Sequence, residues 1–100
     1  MLKAKAEIQF TLQGRNYRSG KHFRPVFNFG DELLFSGTVV SDDNEYIYNK
    51  EYTVDIEFFT IEDEAYNALQ SHLRPGMGLT IQEGSRITGI ATLLDFSYVA

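Results

Sequence analysis

One segment of the sequence combines positive charge with aromatic rings at close spacing. Residues 14–24 read GRNYRSGKHFR. Its basic and aromatic side chains are Arg15, Tyr17, Arg18, Lys21, Phe23 and Arg24. Guanidinium and ammonium groups pair with phosphates, and aromatic rings stack on bases or riboses. The segment is therefore a candidate site for an anionic partner such as structured RNA. The alternative is a solvated loop in which Arg24 is held by its neighbours.

Side chains used in catalysis and metal binding lack the spacing that such sites need. The two histidines, His22 and His72, are fifty residues apart and the chain has no cysteine, so it contains no metal-ligand motif. The sequence has no Gly-x-Ser-x-Gly elbow. The carboxylates of residues 42–45 and 62–64 fit an acidic loop and a helix start rather than a catalytic acid pair. We expect no catalytic, cofactor-binding or metal-binding residues, and hence no enzyme.

Charge is divided unevenly along the chain, whose 100 residues carry a formal net charge of −5. Residues 1–25 hold six basic residues against one acidic residue, a net of +5, and residues 26–100 hold three against thirteen, a net of −10. Nucleic acid repels an acidic protein, so a contact with RNA would have to come from the basic quarter. The overall charge favours a protein partner.

Length and composition predict a single domain over residues 1–100. The sequence contains no apolar run long enough to cross a bilayer. Its start, MLKAKAEIQF, lacks the apolar core of a signal peptide. We expect a cytoplasmic protein without membrane association.

Hydrophobic periodicity predicts an all-β fold. Residues 4–12 and 52–59 alternate apolar and polar side chains, as half-buried strands do. Shorter apolar runs predict strands at 26–29, 33–40, 79–82 and 86–96, with an edge piece at 46–48. Apolar residues every four positions predict one short helix near residues 62–73, capped by Thr60, between the fourth and fifth strands. Six strands joined by Gly-containing turns predict a closed six-stranded antiparallel Greek-key barrel.

The final predicted hairpin turns at Glu83-Gly84-Ser85, because Gly84 can take the positive φ of a tight turn. After the turn the apolar pattern resumes at Ile87, Ile90, Leu93, Leu94 and Phe96. Gly89 interrupts this strand, and a strand glycine often marks a bulge or a close backbone approach.

Residues 24–29 (RPVFNF), 35–39 (FSGTV) and 82–89 (QEGSRITG) together resemble the C-terminal, third domain of bacterial translation elongation factor Tu. Residues 82–89, QEGSRITG, are similar to that family's Glu-Gly-Gly-Arg-Thr-Val-Gly hairpin. Residues 24–29, RPVFNF, resemble its Arg-Pro-Gln-Phe-Tyr-Phe, and residues 35–39, FSGTV, resemble its Val-Thr-Gly-Thr/Ser-Val.

Spacing adds to the resemblance. The Gly14-Arg15 pair lies nine residues before Arg24, as a Gly-Arg pair does in the family, and residues 52–58 occupy the place of an alternating strand. The resemblance covers about residues 3–96 and implies a six-stranded antiparallel barrel.

In the family, this domain contacts the T-stem of aminoacyl-tRNA and the nucleotide-exchange partner. The positions that contact tRNA correspond here to Arg15, Val26, Ser36, Glu83 and Gly84. Arg15, Glu83 and Gly84 match the family residue. Ser36 keeps the hydroxyl of a threonine, whereas Val26 replaces a glutamine. The resemblance thus implies RNA-facing chemistry that is partly retained.

The sequence has no Gly-x-x-x-x-Gly-Lys-Ser/Thr phosphate loop, so we expect no GTP binding. The resemblance implies a free-standing, non-catalytic macromolecule-binding module. Its expected partner is a protein, which it would bind as a competitor of the elongation factor or as an inhibitor or immunity-type protein. Alternatives are structured, tRNA-like RNA bound at residues 14–24, and a homodimer through a strand edge or barrel face. The predicted contact residues are Arg15, Arg18, Lys21, Arg24, Ser36, Glu83 and Gly84.

Overall fold

A computed structural model describes residues 1–11, 23–41 and 45–99, together with the backbone of residues 17–18. The described strands are β1 (Leu2–Phe10), β2 (Tyr17–Arg18), β3 (Val26–Asn28), β4 (Leu34–Ser36), β5 (Thr38–Val40), β6 (Glu45–Tyr46), β7 (Glu51–Phe58), β8 (Gly78–Glu83) and β9 (Arg86–Tyr98). The described helix is α1 (Asp63–Leu69), between β7 and β8. The prediction of a mostly β fold with one short helix is confirmed.

Seven of the strands form one antiparallel sheet in the order β4-β3-β8-β9-β1-β7-β5. β2 and β6 form a separate two-stranded ladder. The seven-stranded sheet curls into a nearly closed, barrel-like shape, because its two end strands, β4 and β5, are consecutive in the chain and separated by Gly37 alone. The count of seven strands differs from the predicted six because the structure interrupts the predicted strand 33–40 at this glycine.

The inside of the sheet is filled by the alternating apolar residues of the long strands. β1 buries every second side chain, and β7 buries its apolar side chains in the same alternation. The rings of Phe27 and Phe29 both pack edge-on against Phe58, each with a centroid separation of 5.4 Å. Each fully buried Leu, Ile or Phe contributes about 1.5–3 kcal/mol to folding, so these alternating rows hold the sheet in its curled form.

Two glycines lie where the sheet leaves no room for a side chain. A Cβ on Gly89 would lie 2.6 Å from the carbonyl oxygen of Gln9, on the neighbouring strand β1. A Cβ on Gly37 would lie 2.7 Å from side-chain atoms of Ile56 and Phe58. The prediction that Gly89 marks a bulge or a close backbone approach is confirmed, because the register of β8 and β9 also shifts beside it.

The helix is shorter than the predicted span 62–73. Its N-cap is Glu62, with no side-chain hydrogen bond, so the predicted cap by Thr60 is wrong. After Leu69 the chain forms turns, and the N–H of His72 donates to the Leu69 carbonyl (2.8 Å), three residues back. In the described part of the chain, no helix has the length and apolar character needed to cross a membrane.

A hydrogen bond and a ring stack join the helix to the end of β9. The Tyr98 hydroxyl donates to Oδ1 of Asp63 (2.6 Å), and its ring stacks on Tyr66 at 4.2 Å between centroids. The hydrogen bond to the Asp63 carboxylate raises the pKa of Tyr98 to about 12.

Candidate functional site

One outward side of the sheet, on strands β4, β3, β8 and β9, consists of uncharged residues. We call it the uncharged face. Its members are Val26, Asn28, Leu34, Ser36, Gly78, Thr80, Gln82, Ile87, Ile90 and Thr92. Nearly a quarter of the whole chain is charged, so a ten-residue surface that spans four strands without a charge is distinctive.

Strand register sets these side chains in two parallel rows. In the first row Val26 lies between Ser36 on β4 and Gln82 on β8. In turn, Gln82 lies opposite Ile87 on β9. This row therefore runs across four strands, from β4 to β9.

The second row lies closer to the β3–β4 turn. Here Asn28 lies between Leu34 and Thr80, and Thr80 lies opposite Ile90. The apolar members at the ends of the rows are exposed. Ile87 is 53% exposed, Leu34 49% and Ile90 46%. The lack of charge over these four strands is the property that the face shares with the core of protein interfaces.

A shallow hollow of about 420 Å³ opens at one end of the uncharged face. Its floor includes Gly78, where an added Cβ would meet no atom within 4 Å. Asn28, Thr80 and Ile90 lie around it. The Asn28 Oδ1 accepts a hydrogen bond from the Gly30 N–H (2.8 Å), which fixes the amide at the rim. The hollow exists because two glycines, Gly30 and Gly78, leave space where side chains would otherwise stand.

The opposite end of the uncharged face adjoins the tip of the β8–β9 hairpin. Glu83 and Gly84 follow Gln82 directly and are exposed, and Gly84 has a φ of 63°. The structure thus places three of the predicted contact residues, Ser36, Glu83 and Gly84, around one region. Val26, between Ser36 and Gln82, belongs to the same region.

Arg24 lies just outside the uncharged face, two residues before Val26. It is exposed and lines a groove with Thr38 and Glu57. Within the described residues its guanidinium forms no ion pair. Arg24 is therefore the one predicted basic contact whose surroundings the structure describes.

The rest of the basic segment is described only in part. Arg15 and Lys21 lie outside the described residues, and so does the side chain of Arg18. The backbone of Arg18, in β2, pairs with Glu45 of β6. The ladder thus places Glu45 next to the backbone of Arg18.

The two lysines of β1 are surrounded by carboxylates. Nζ of Lys3 lies 4.0 Å from Oε2 of Glu57, and Lys5 lies in register between Asp55 and Asp95. These residues line a groove of about 340 Å³ on the other outward side of the sheet. The charges compensate one another across strands, so this side does not extend the basic segment.

A pair of carboxyls borders the uncharged face, where Glu7 of β1 lies in register with Thr92 of β9. The Glu7 carboxyl interacts with that of Glu51, and this hydrogen bond together with their mutual repulsion raises the pKa of Glu7. Among the described residues, no three His, Asp or Glu side chains are grouped so that they could hold a metal ion. A pair of exposed acids by itself supports no reaction.

The uncharged face was not predicted from the sequence. The sequence pattern grouped Ile87, Ile90 and Leu94 with Leu93, but only Leu93 is buried. Register shifts at Ile81/Gln82 and at Lys5/Ala6 turn the other three outward. The one available signal was Gly89, which indicated a bulge in this strand.

Comparison with models of protein families and with curated proteins gives no match to this chain.

Proposed function

We propose that this protein is a non-catalytic module that binds a protein partner through the uncharged face. The observation that carries the proposal is the composition of that face. Exposed Leu34, Ile87 and Ile90 surround uncharged amide and hydroxyl groups on a rigid sheet. The core of a protein interface is depleted in charged residues, and its polar groups form hydrogen bonds with the partner.

We further propose that the fold is a six-stranded Greek-key barrel like the third domain of elongation factor Tu. Two hydrogen bonds support the count of six. The N–H of Gly37 donates to the Pro25 carbonyl (3.0 Å), and the N–H of Val39 donates to the Phe23 carbonyl (2.9 Å). They continue the β3–β4 ladder along β5, so that β4 and β5 act as one bent strand between β3 and β7.

The order of strands supports the Greek-key arrangement. β3, the bent strand β4–β5 and β7 are neighbours in chain order, and β1 lies beside β7 rather than beside β3. In a Greek key, three strands that follow one another in the chain are also neighbours in the sheet, and a long connection places a fourth strand beside one end of that set. Likeness to the elongation factor domain also draws support from the grouping of Ser36, Glu83 and Gly84, which correspond to contact positions of that family.

A capture experiment tests the proposed function. The immobilised chain is exposed to lysate of the source organism, in parallel with the variants Ile90→Asp and Ile47→Asp. Ile47 is a matched control because it is 49% exposed but lies outside the uncharged face. We expect a protein to be captured by wild type and by Ile47→Asp and to be lost with Ile90→Asp. Equal capture by all three chains would contradict the proposal.

Structured RNA is the second candidate, favoured by the exposed guanidinium of Arg24, which forms no ion pair with the described residues. The pairing of Arg18 in β2 with Glu45 in β6 speaks against it, because a carboxylate beside the basic segment reduces the local positive potential. A titration with tRNA at low and high salt distinguishes the two. Binding that weakens with salt and is lost in Arg24→Ala would favour RNA. Absence of binding at low salt would remove this alternative.

A further inference from the structure

We propose that the partner of the uncharged face is a second copy of this chain, bound face to face about a two-fold axis. The inference rests on the proposed function, because it names the occupant of the same surface. Three properties of the face carry it: its hydrogen-bonding groups, its shape and its lack of charge.

The polar groups of the face can pair with copies of themselves. In a two-fold contact the same patch meets itself. Carboxylates and ammonium groups are unsuited to this, because each would meet its own charge. Hydroxyl and amide side chains both donate and accept hydrogen bonds. All the polar side chains of the uncharged face are of this kind: Asn28, Ser36, Thr80, Gln82 and Thr92.

The face also holds both a projection and a recess. Ile87 projects near one end, where it is the most exposed large apolar residue of those described. The hollow floored by Gly78 lies at the other end. A two-fold axis that lies in the interface and runs across the line from Ile87 to the hollow exchanges these two ends, so it brings the projecting end of each copy toward the hollow of the other. Such self-complementarity is what a two-fold interface requires.

Electrostatics favours this face over the others for self-association. Each copy carries a net charge of −5, so two copies repel one another at long range. If two copies met through the outer surface on the opposite side of the barrel-like sheet, Asp55, Glu57 and Asp95 of one copy would face the same acids of the other. The uncharged face lets two copies approach without burying a charge, a step that costs free energy unless the charge is paired.

The size of the face predicts a weak dimer. Four strands spaced about 4.8 Å apart, each contributing residues at a rise of about 3.3 Å, give a patch roughly 15–20 Å across. A stable interface buries about 800 Å² per partner, and a flat patch of this width provides less. We therefore expect a dissociation constant in the range of about 10 to 500 μM, so that monomer and dimer exchange.

Sedimentation equilibrium over about 5 to 1,000 μM protein tests the inference, since this range brackets the expected dissociation constant. We expect the average mass of wild type to rise from one chain toward two. The variant Gly78→Glu places a carboxylate in the hollow, where there is space for it, so it occupies the recess that would receive Ile87 of the other copy and sets an unpaired charge against that apolar side chain. We expect its dissociation constant to rise at least about tenfold.

Ser97→Glu is the matched control. It adds the same charge to an exposed strand position that is in register with Lys3, on the opposite outer side of the barrel-like sheet. We expect this variant to dimerise as wild type does. Far-UV circular dichroism of all three chains verifies that each is folded. A wild-type mass of one chain at every concentration would overturn the inference, and so would a dimer that Gly78→Glu and Ser97→Glu weaken equally.

The capture experiment separates failure of this inference from failure of the proposed function. A monomeric chain that still captures a different protein through Ile90 would refute the second copy and leave the proposed function standing. A monomeric chain that captures nothing would refute both.

Discussion

Among the described glycines of the sheet, Gly89 should lose the most stability on substitution. In Gly89→Ala, the new Cβ would lie 2.6 Å from the Gln9 carbonyl oxygen and 3.2 to 3.3 Å from atoms of Phe10. Ordinary contact begins at 3.4 Å, so the two strands must separate by nearly 1 Å. The obstacle is the backbone of β1, which has no rotamer with which to move aside.

The size of the effect follows from two opposing terms. Overpacking of this kind costs about 1–3 kcal/mol, and separating the strands also strains the hydrogen bond from the Thr11 N–H to the Thr88 carbonyl (3.0 Å). Replacing glycine by alanine gains about 0.4–1 kcal/mol by restricting the unfolded chain. The weakened hydrogen bond adds about 0.5–1.5 kcal/mol to the cost, which roughly cancels that gain, so we expect Gly89→Ala to lower the free energy of unfolding by a net of about 1–3 kcal/mol.

Gly78→Ala is the control, because it makes the same chemical change in the adjacent strand. Its Cβ would enter open space, so only the favourable term applies, and we expect a stability equal to wild type or up to about 1 kcal/mol higher. Urea unfolding followed by circular dichroism measures both variants. The reasoning is refuted if the two variants unfold at the same urea concentration, or if Gly89→Ala is as stable as wild type.

Three further predictions concern turns and titrating groups. Glu32 has a φ of 63° in the turn between β3 and β4, a conformation that costs a residue other than glycine about 1–2 kcal/mol, whereas glycine adds about 0.4–1 kcal/mol of entropy to the unfolded chain. Glu32→Gly should therefore raise the free energy of unfolding by up to about 1 kcal/mol, measured by urea unfolding; a loss would contradict the turn geometry. Because the hydrogen bond to Asp63 raises the pKa of Tyr98 from 10.0 to about 12 in the folded chain, its stabilisation is complete below pH 10 and disappears as the pH rises through 12. Tyr98→Phe should lack this loss in unfolding curves across that range, and a loss equal to that of wild type would refute the assignment. In Glu51→Gln the pKa of Glu7 should fall toward 4.5, as followed by NMR of the carboxyl carbon, and an unchanged value would show that Glu51 is not the cause.

The strongest periodic patterns of the sequence correspond to the best-formed strands. Alternation predicted β1 and β7 to within two residues, because each buries one face and exposes the other. The last strand was harder to interpret. Two register shifts in β9 exchange the inner and outer positions along the strand. The alternation of apolar and polar residues does not predict where such a bulge lies, and Gly89 was the only residue in this strand that indicated one.

The candidate surface could be predicted only in part, because it is assembled from four strands. Ser36, Glu83 and Gly84 were each identified by resemblance, but no sequence pattern places Leu34 beside Asn28 or Thr80 beside Ile90. Those neighbours depend on the register between strands that are distant in the chain. The basic segment was predicted from its composition, whereas its pairing with Glu45 depends on the ladder of β2 and β6.

The position of β1 in the sheet has a consequence for how the chain folds. β1 pairs along its whole length with β7 and β9, so that Leu2 lies opposite both Phe58 and Tyr98. Neither ladder can form until the chain has closed loops of about fifty and about ninety residues. Pairing over such distances slows folding, to about milliseconds or longer in domains of this kind. During synthesis β1 emerges long before its partners, and its apolar row of Leu2, Ala4, Ala6, Ile8 and Phe10 must remain uncovered until the last strand has been made.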